Sequence, residues 1–520
     1  MKISTIIGDI GKLSNSSRRL SVLLGAMKLL RAVLSLVTVV LSAKYFGTSL
    51  QRDCWILGSS FVAVGIQVLF GPINETFRTK YIHLKEGKSC DQLVDIINSV
   101  ILFIVLVALL FTLAVFLFPR FYCGIVASGF STPENDVLSK MILVLIPSLI
   151  VTELTNILSS VLNAHNSFLL PDFFGFLSLF LNIIFIICLA PILGIYSLVI
   201  SSYLSSFCLL IYLYIELYKR TGYRFKPQIQ FRKYVKPFII FSIPLYINYL
   251  VSQADTLVEK NLTTHLGQGS VSLVDYARKF SDLPVNIMIG VVTTVLTPIL
   301  STHYIRRSME DFYIETQKYF RMLTLLIIPF LSVLVAYSAE VVKVVFLHGA
   351  FLRTYVPITS DLIVCYAFGT FSVAIYIVYS QVLISQKKIL LFSSIAIVGY
   401  LCRMVFNLMF YKFLGILTFA ISWSVITFLM GNIMLVFSLK VYRKAVIWQA
   451  VKIYILFFIL VMLSLCGRYL FVDKLLWNDG LMPVLVGFLM VSFCQIFLLF
   501  FLKFDERALI HSVLRRFFRK

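Results

Sequence analysis

Long runs of apolar residues, separated by short polar stretches, recur from about residue 20 to about residue 502. A helix needs ~20 residues to cross the hydrocarbon core of a bilayer. Cutting the runs at that length gives fourteen spans, the first near 20–43, the eighth near 284–302 and the last near 481–502. The pattern therefore predicts an all-α polytopic membrane protein with about fourteen transmembrane helices. The polar start "GDIGKLSNSSRRL" has no small-residue cleavage site after it, so the first run reads as a retained span rather than a signal peptide.

Four prolines, Pro147, Pro244, Pro298 and Pro329, fall inside spans. Each removes a backbone hydrogen bond and kinks its helix. Such breaks are tolerated at membrane depth where the freed groups face protein or a wet cavity, although an ordinary kink in a bundle is an equally good reading of any one of them. The longest basic loop, Tyr218–Pro237, follows the sixth span. Weak echoes support two six-span halves: "YFGTSLQRD" against "HLGQGSVSLVD", and "SSVLNAHNSFLL" against "SQVLISQKKILL". The expected organisation is an N-terminal six-helix lobe (1–225), a second six-helix lobe (226–440), two additional transmembrane helices (441–502) and a basic tail (503–520).

Composition narrows the class. The chain is 60% hydrophobic, 13% charged and has a mean hydropathy of +0.94, against about 25% charged residues in soluble proteins. The nine cysteines are scattered without a CxxC, and the six histidines have no ligand spacing. There is no Gly-rich phosphate loop, nucleophile elbow or H-E-x-x-H, so no metal, cofactor or catalytic residue is expected.

The net charge of +22 would suit a nucleic-acid binder, but its placement argues otherwise. With the N-terminus in the cytoplasm, Lys and Arg outside the spans favour the cytoplasmic side roughly three to one. The basic excess is a topology signal plus attraction to anionic lipid. Both termini are expected to face the cytoplasm.

Ionisable groups inside spans are the informative ones, because each costs about 2.5–3.5 kcal/mol on insertion scales and usually faces the bundle interior. Lys28 and Arg31 lie three apart on one face of the first span. Asp53 opens the second span, where it could simply cap the helix. Asp255 and Glu259 with Lys260 close the seventh, and Arg403 lies in the middle of the eleventh. The stretch "DYARKFSDLP" places Arg278, Lys279 and Asp282 at the start of the eighth. Deep positions favour cations, while acids gather near the outer ends. A cationic cavity attracts a multiply charged anion, and phosphate or pyrophosphate fits because Arg and Lys bind it by charge-assisted hydrogen bonds. The acids would hold those cations in place or bind a coupling cation.

"GQGSVSLVDYARKFSDLPVNIMIGVVTTVLTPILS" (residues 267–301) resembles the signature of the MurJ/MviN lipid II flippases of the MOP superfamily. The shared features are Tyr276-Ala277, Lys279, Asp282, Pro284 and the ending Pro298-Ile299-Leu300-Ser301. "AKYFGTSLQRD", "SVLNAHNSFLLPDF" and "VFLHGAF" are similar to further segments of that family. The resemblance implies two six-helix lobes around a cationic cavity that works by alternating access, with two extra helices grooved for a polyprenyl tail. The cargo it implies is a polyprenyl-pyrophosphate-linked glycan, lipid II or a related cell-envelope precursor, carried across the bacterial inner membrane by a monomer. Asp53 falls on the family's functional Asp, and Lys279 on its functional Arg, keeping charge but losing the bidentate fork. Arg31 lies one position from the family's first-helix Arg. A second such Arg is Thr38 here, and Glu75 stands in for the family's Glu-Gly-Ala segment.

The substrate-binding set expected is therefore Arg31, Lys28, Lys279, Arg403 and Asp53, supported by Asp255, Lys260, Arg278, Asp282 and Glu75. With no ATP-binding machinery, the drive is left to a monovalent cation gradient or the membrane potential. Two other readings carry different signatures. A drug/cation antiporter of the same superfamily would need deep acids, whereas the deep charges here are mostly positive. A membrane enzyme acting on lipid-linked sugars would need a carboxylate site in a sizeable polar loop, and the loops near 119–136 and 259–283 lack one.

Overall fold

The computed structural model describes residues 17–85, 87, 89–165, 167, 169–438, 441–474 and 481–501 of the 520. The expected basic tail at 503–520 lies outside the described residues. Among these, the chain folds into α-helices joined by short turns. The first nine are α1 (Ser17–Phe46), α2 (Leu50–Lys85), α3 (Cys90–Leu117), α4 (Pro119–Val126), α5 (Thr132–Leu145), α6 (Ser148–Ala164), α7 (Leu169–Leu193), α8 (Tyr196–Thr221) and α9 (Lys236–Thr264). The second nine are α10 (Ser270–Val291), α11 (Thr297–Ile305), α12 (Met309–Ala336), α13 (Ser338–Phe346), α14 (Val356–Ser385), α15 (Ile389–Leu414), α16 (Leu417–Ser438), α17 (Arg443–Arg468) and α18 (Met482–Phe501).

Local chemistry sets several boundaries. A capping box, Ser131 with Glu134, opens α5, and the Glu134 carboxylate accepts from the Ser131 N–H at 2.7 Å. Gly222 closes α8 in the left-handed region at φ +67, and its N–H donates to the Tyr218 carbonyl. Pro147 separates α5 from α6 at a turn, while Pro244 and Pro329 are carried inside α9 and α12.

Thirteen helical stretches among the described residues are long and apolar enough to cross a membrane, so the chain is a multi-pass helical membrane protein. The expected span at 284–302 is the one that differs. It is built as α10, a π-helical turn at Val292–Leu296, and then α11. Pro298 has no N–H to donate and its ring crowds the carbonyl one turn back, so the ladder widens just ahead of it. Within this widened turn the Thr297 hydroxyl donates to the Val292 carbonyl at 3.0 Å.

Backbone packing gathers the chain into two compact units. The first takes the described residues up to Tyr276, together with His348–Phe351 and Ala396–Phe419. Its centre is α2, which packs on α5, α6 and α9; α1 packs on α7, α7 on α8, and α3 on α6. The second takes Ala277–Leu347, Leu352–Ile395 and the described residues from Ala420 onward. Its centre is α12, which packs on α14, α17 and α18 and is buried along most of its second half.

Candidate functional site

The first unit holds three groups of charge on its membrane-spanning helices. On α1, the Arg31 guanidinium donates to Asp172 of α7 at 3.0 Å, with 40% of its side chain exposed. Gly175, one turn beyond Asp172, makes room for it: a Cβ there would stand 3.0 Å from the Arg31 Cζ. Lys28 lies one turn earlier on α1 and is half-buried. Arg31 is thus braced by one carboxylate and still presents part of its charge.

The second group joins the two turns whose sequences echo each other. Gly47 follows α1 at φ +54, and Gly267 and Gly269 follow α9 at φ +96 and +88. Both turns lead straight into the next helix, which is the physical content of the echo between "YFGTSLQRD" and "HLGQGSVSLVD". Asp53 is fully buried between them. It accepts from the Gly269 N–H at 2.6 Å, the Ser272 N–H at 2.8 Å and the Ser272 hydroxyl at 2.5 Å. It therefore caps α10 rather than its own helix, taking up donors that a helix N-terminus leaves over.

Its neighbour Arg52, also fully buried, donates to Asp275 at 3.1 Å and lies over the rings of Trp55 and Tyr276 at 4.6 and 5.3 Å. The Tyr276 hydroxyl donates to the Gly47 carbonyl at 2.5 Å. The "HGA" turn completes the junction, as the Ala350 N–H donates to the Lys44 carbonyl at 2.8 Å.

The third group is Arg403 of α15, almost wholly buried, which donates through Nε and Nη2 to both oxygens of Asp255 on α9 and lies 3.7 Å from Glu259. Lys260 is buried beside Glu259 on the same helix. A bidentate guanidinium facing two acids is a neutralised cluster, so Arg403 does not present its charge as Arg31 does. Glu75 is exposed on α2 and accepts from the Tyr249 hydroxyl of α9 at 2.9 Å.

In the second unit, Lys279 and Asp282 form a partly exposed pair at 3.5 Å on α10. Arg278 lies 6.0 Å from the Tyr366 ring of α14.

Several of these partners were not among the expected site residues. Arg52 is adjacent to Asp53, and Asp172 sits in the quoted "SVLNAHNSFLLPDF", so both lay within quoted segments without being singled out. Glu259 closes the same span as Asp255. Glu153 of α6, fully buried and bonded only to two amides, is an acid inside an apolar run, and that placement was the signal that could have found it.

Many membrane-spanning helices, with cations buried or braced by acids on them, define a multi-pass helical membrane protein. The family model "Lipid II flippase MurJ" matches residues 42–492. The chain belongs to that family, which makes it a flippase rather than an enzyme.

Among curated relatives, a probable lipid II flippase MurJ of Buchnera aphidicola subsp. Schizaphis graminum is 24% identical over 67% of this chain and 69% of its own length. A counterpart from Borreliella burgdorferi is 22% identical over 90% of this chain and 92% of its own length. Among solved structures, a lipid II flippase MurJ in an inward closed conformation superposes with a TM-score of 0.78 at 22% identity. That match covers 94% of this chain and 100% of that one. An inward-facing multidrug resistance MATE transporter of the MOP superfamily follows at TM-score 0.65 and 10% identity, covering 84% of this chain and 98% of that one. At these identities the solved structures speak for the fold.

Proposed function

We propose that the chain translocates lipid II, or a related polyprenyl-pyrophosphate-linked glycan, from the cytoplasmic to the outer leaflet of the inner membrane by alternating access. The family match over residues 42–492 carries this reading. The site chemistry supports it through Arg31, a cation at membrane depth that is only part-neutralised and part-exposed.

In this reading the pyrophosphate meets Arg31 and Lys28 on α1 and Lys279 on α10, while Arg278, Asp282 and Glu75 shape the surroundings. Arg403 acts from within its cluster with Asp255, Glu259 and Lys260, holding α15 to α9 rather than taking the anion itself. Asp53 acts by fixing the α9–α10 turn against the α1–α2 turn. Two lobes (1–225 and 226–440) rock, the two additional helices (441–502) accommodate the tail, both termini face the cytoplasm, and the working form is a monomer.

The test is translocation of a labelled lipid II in proteoliposomes. Arg31→Ala and Lys279→Ala are each expected to abolish head-group crossing while leaving the detergent-purified protein folded. Full activity in both would overturn the assignment of the anion to these cations. Mass spectrometry of copurified lipid identifies the glycan, and proton-coupled export of a cationic dye would favour an antiporter instead.

A further inference from the structure

Glu153 is the only titratable side chain on α6 and is fully buried in the first unit. Its Oε2 accepts from the amide nitrogens of Asn74 on α2 at 3.1 Å and of Asn156 on its own helix at 3.2 Å. Its Oε1 has no partner, and neither has the Asn74 Oδ1, although both atoms are cut off from solvent. Among the described residues no cation stands within ion-pair distance of it.

No charged or titratable group on the helices packed against α6 bonds to Glu153 among the described residues. On α2, Glu75 takes the Tyr249 hydroxyl and Arg78 is exposed. On α7, Asp172 is held by Arg31, and on α8 Glu216 is held by Arg220 and Tyr203 donates to a backbone carbonyl. Asp91 and Asp95 of α3 lie in the first two turns of that helix.

A lone ionised carboxylate is expensive in such a place, and amide dipoles alone repay little of its lost hydration. A carboxylic acid facing a side-chain amide has a better arrangement. The amide N–H bonds one carboxyl oxygen, and the acid O–H on the other bonds the amide oxygen, so both groups are satisfied. The first of these two bonds is already made between Asn74 and Glu153. The two oxygens left over are the pair that a proton would join.

We propose that Glu153 and Asn74 form a proton-binding site, in which a proton on Oε1 is shared with the Asn74 Oδ1. A proton taken from water forms the O–H bond on Oε1, and its return to water leaves the carboxylate. The two amides that hold the carboxyl are themselves half-buried. Occupancy sets how the part of α2 beyond Pro72 docks on α6: Asn74 lies two residues past that proline, where the helix lacks one of its backbone bonds. A sodium ion is a poorer occupant, because a hard cation takes about six oxygens and the site offers two free ones. Resting on the flippase reading, the site makes the proton a coupling ion for transport; the site itself does not depend on that reading.

Infrared difference titration of the full chain, purified with and without sodium, tests the proposal. The native protein should show a protonated-carboxyl band that titrates with pH, is lost in Glu153→Gln and shifts in frequency in Asn74→Leu. The band should be indifferent to sodium. A band present at every pH, one retained in Glu153→Gln, or one displaced by sodium would overturn it. In proteoliposomes with the potential clamped at zero, lipid translocation should respond to a pH gradient in the native chain and lose that response in Glu153→Gln. A native chain that titrates but moves no lipid upholds the proton site and counts against the flippase reading.

Discussion

A guanidinium and a carboxylate withdrawn from water each give up several kcal/mol of hydration, and their mutual attraction offsets this only with good geometry and complete hydrogen bonding. Arg403 meets that condition by facing Asp255 with two nitrogens and Glu259 beyond. Taking away its cation is therefore far worse than taking away the whole cluster. Arg403→Leu should destabilise the protein by roughly 3–5 kcal/mol, read from thermal unfolding in detergent. Adding Asp255→Asn and Glu259→Gln should recover most of that loss, and no recovery would mean that the ion pairs are not what the arginine supplies. By contrast, the part-exposed pair Lys279–Asp282 contributes less than about 1 kcal/mol.

A second residue-scale effect concerns pH. His165, between α6 and α7, lies 3.2 Å from the Tyr81 hydroxyl, and burial, with Lys85 nearby, holds its pKa below the ordinary 6.5. The unfolded chain binds that proton more readily than the folded one, so stability is full above pH 6.5 and falls as pH drops from there toward the folded value. His165→Gln should flatten this part of the stability–pH curve, and an unchanged slope would assign it to other groups.

At the scale of elements, the turns do what long apolar helices cannot, which is to fix where neighbouring helices begin. Gly47 shows the constraint. It adopts φ +54, and a Cβ would stand 2.3 Å from the Ala350 carbonyl oxygen, inside any real contact distance. Gly349 mirrors it at φ +68, where a Cβ would stand 2.2 Å from the Lys44 carbonyl oxygen. Gly47→Ala combines an unfavourable backbone region with a clash against another backbone, so it should cost well above about 1 kcal/mol. Folded yield after size exclusion is a sufficient readout, and a native-like yield and melting point would contradict the close approach.

The capping of α10 by Asp53 belongs to the same scale. The sequence reading allowed Asp53 a capping role but assigned it to the wrong helix, because a cap supplied from more than two hundred residues away leaves no local signature. The π turn before Pro298 escaped it for the opposite reason: a proline signals a break but not how the ladder around it widens.

At the scale of the whole molecule, charge distribution carries the proposed orientation and drive. The bias of Lys and Arg predicts that cysteines placed at residues 224–229, in the long basic loop, react with an impermeant reagent only from the cytoplasmic side. Labelling from the outside would reverse the topology. An empty cationic site also feels the membrane potential, which does work of about 2.3 kcal/mol per charge per 100 mV. The rate of lipid crossing in proteoliposomes should therefore rise with imposed potential when the pH gradient is zero.

Membership of the class, the number of spans to within one, and the family were legible in the chain because bilayer thickness imposes a length on every apolar run and because "DYARKFSDLP" and its flanks form a dense local pattern. The identities of Arg31, Arg403 and Asp53 were legible for a related reason: an ion at membrane depth stands out against apolar neighbours. Which acid answers which cation was not. Arg31 chooses Asp172, Arg52 chooses Asp275, and Arg403 chooses Asp255 and Glu259, each through a contact between helices distant in sequence. Glu153 stood out as an acid inside an apolar run, but its meaning was not legible, since that lies in an amide brought from α2 and in the lack of a cation within ion-pair distance among the described residues. Hydrophobic length is a property of one segment, so the sequence carries it directly; compensation of charge is a property of pairs of surfaces, and only the packed helices determine it.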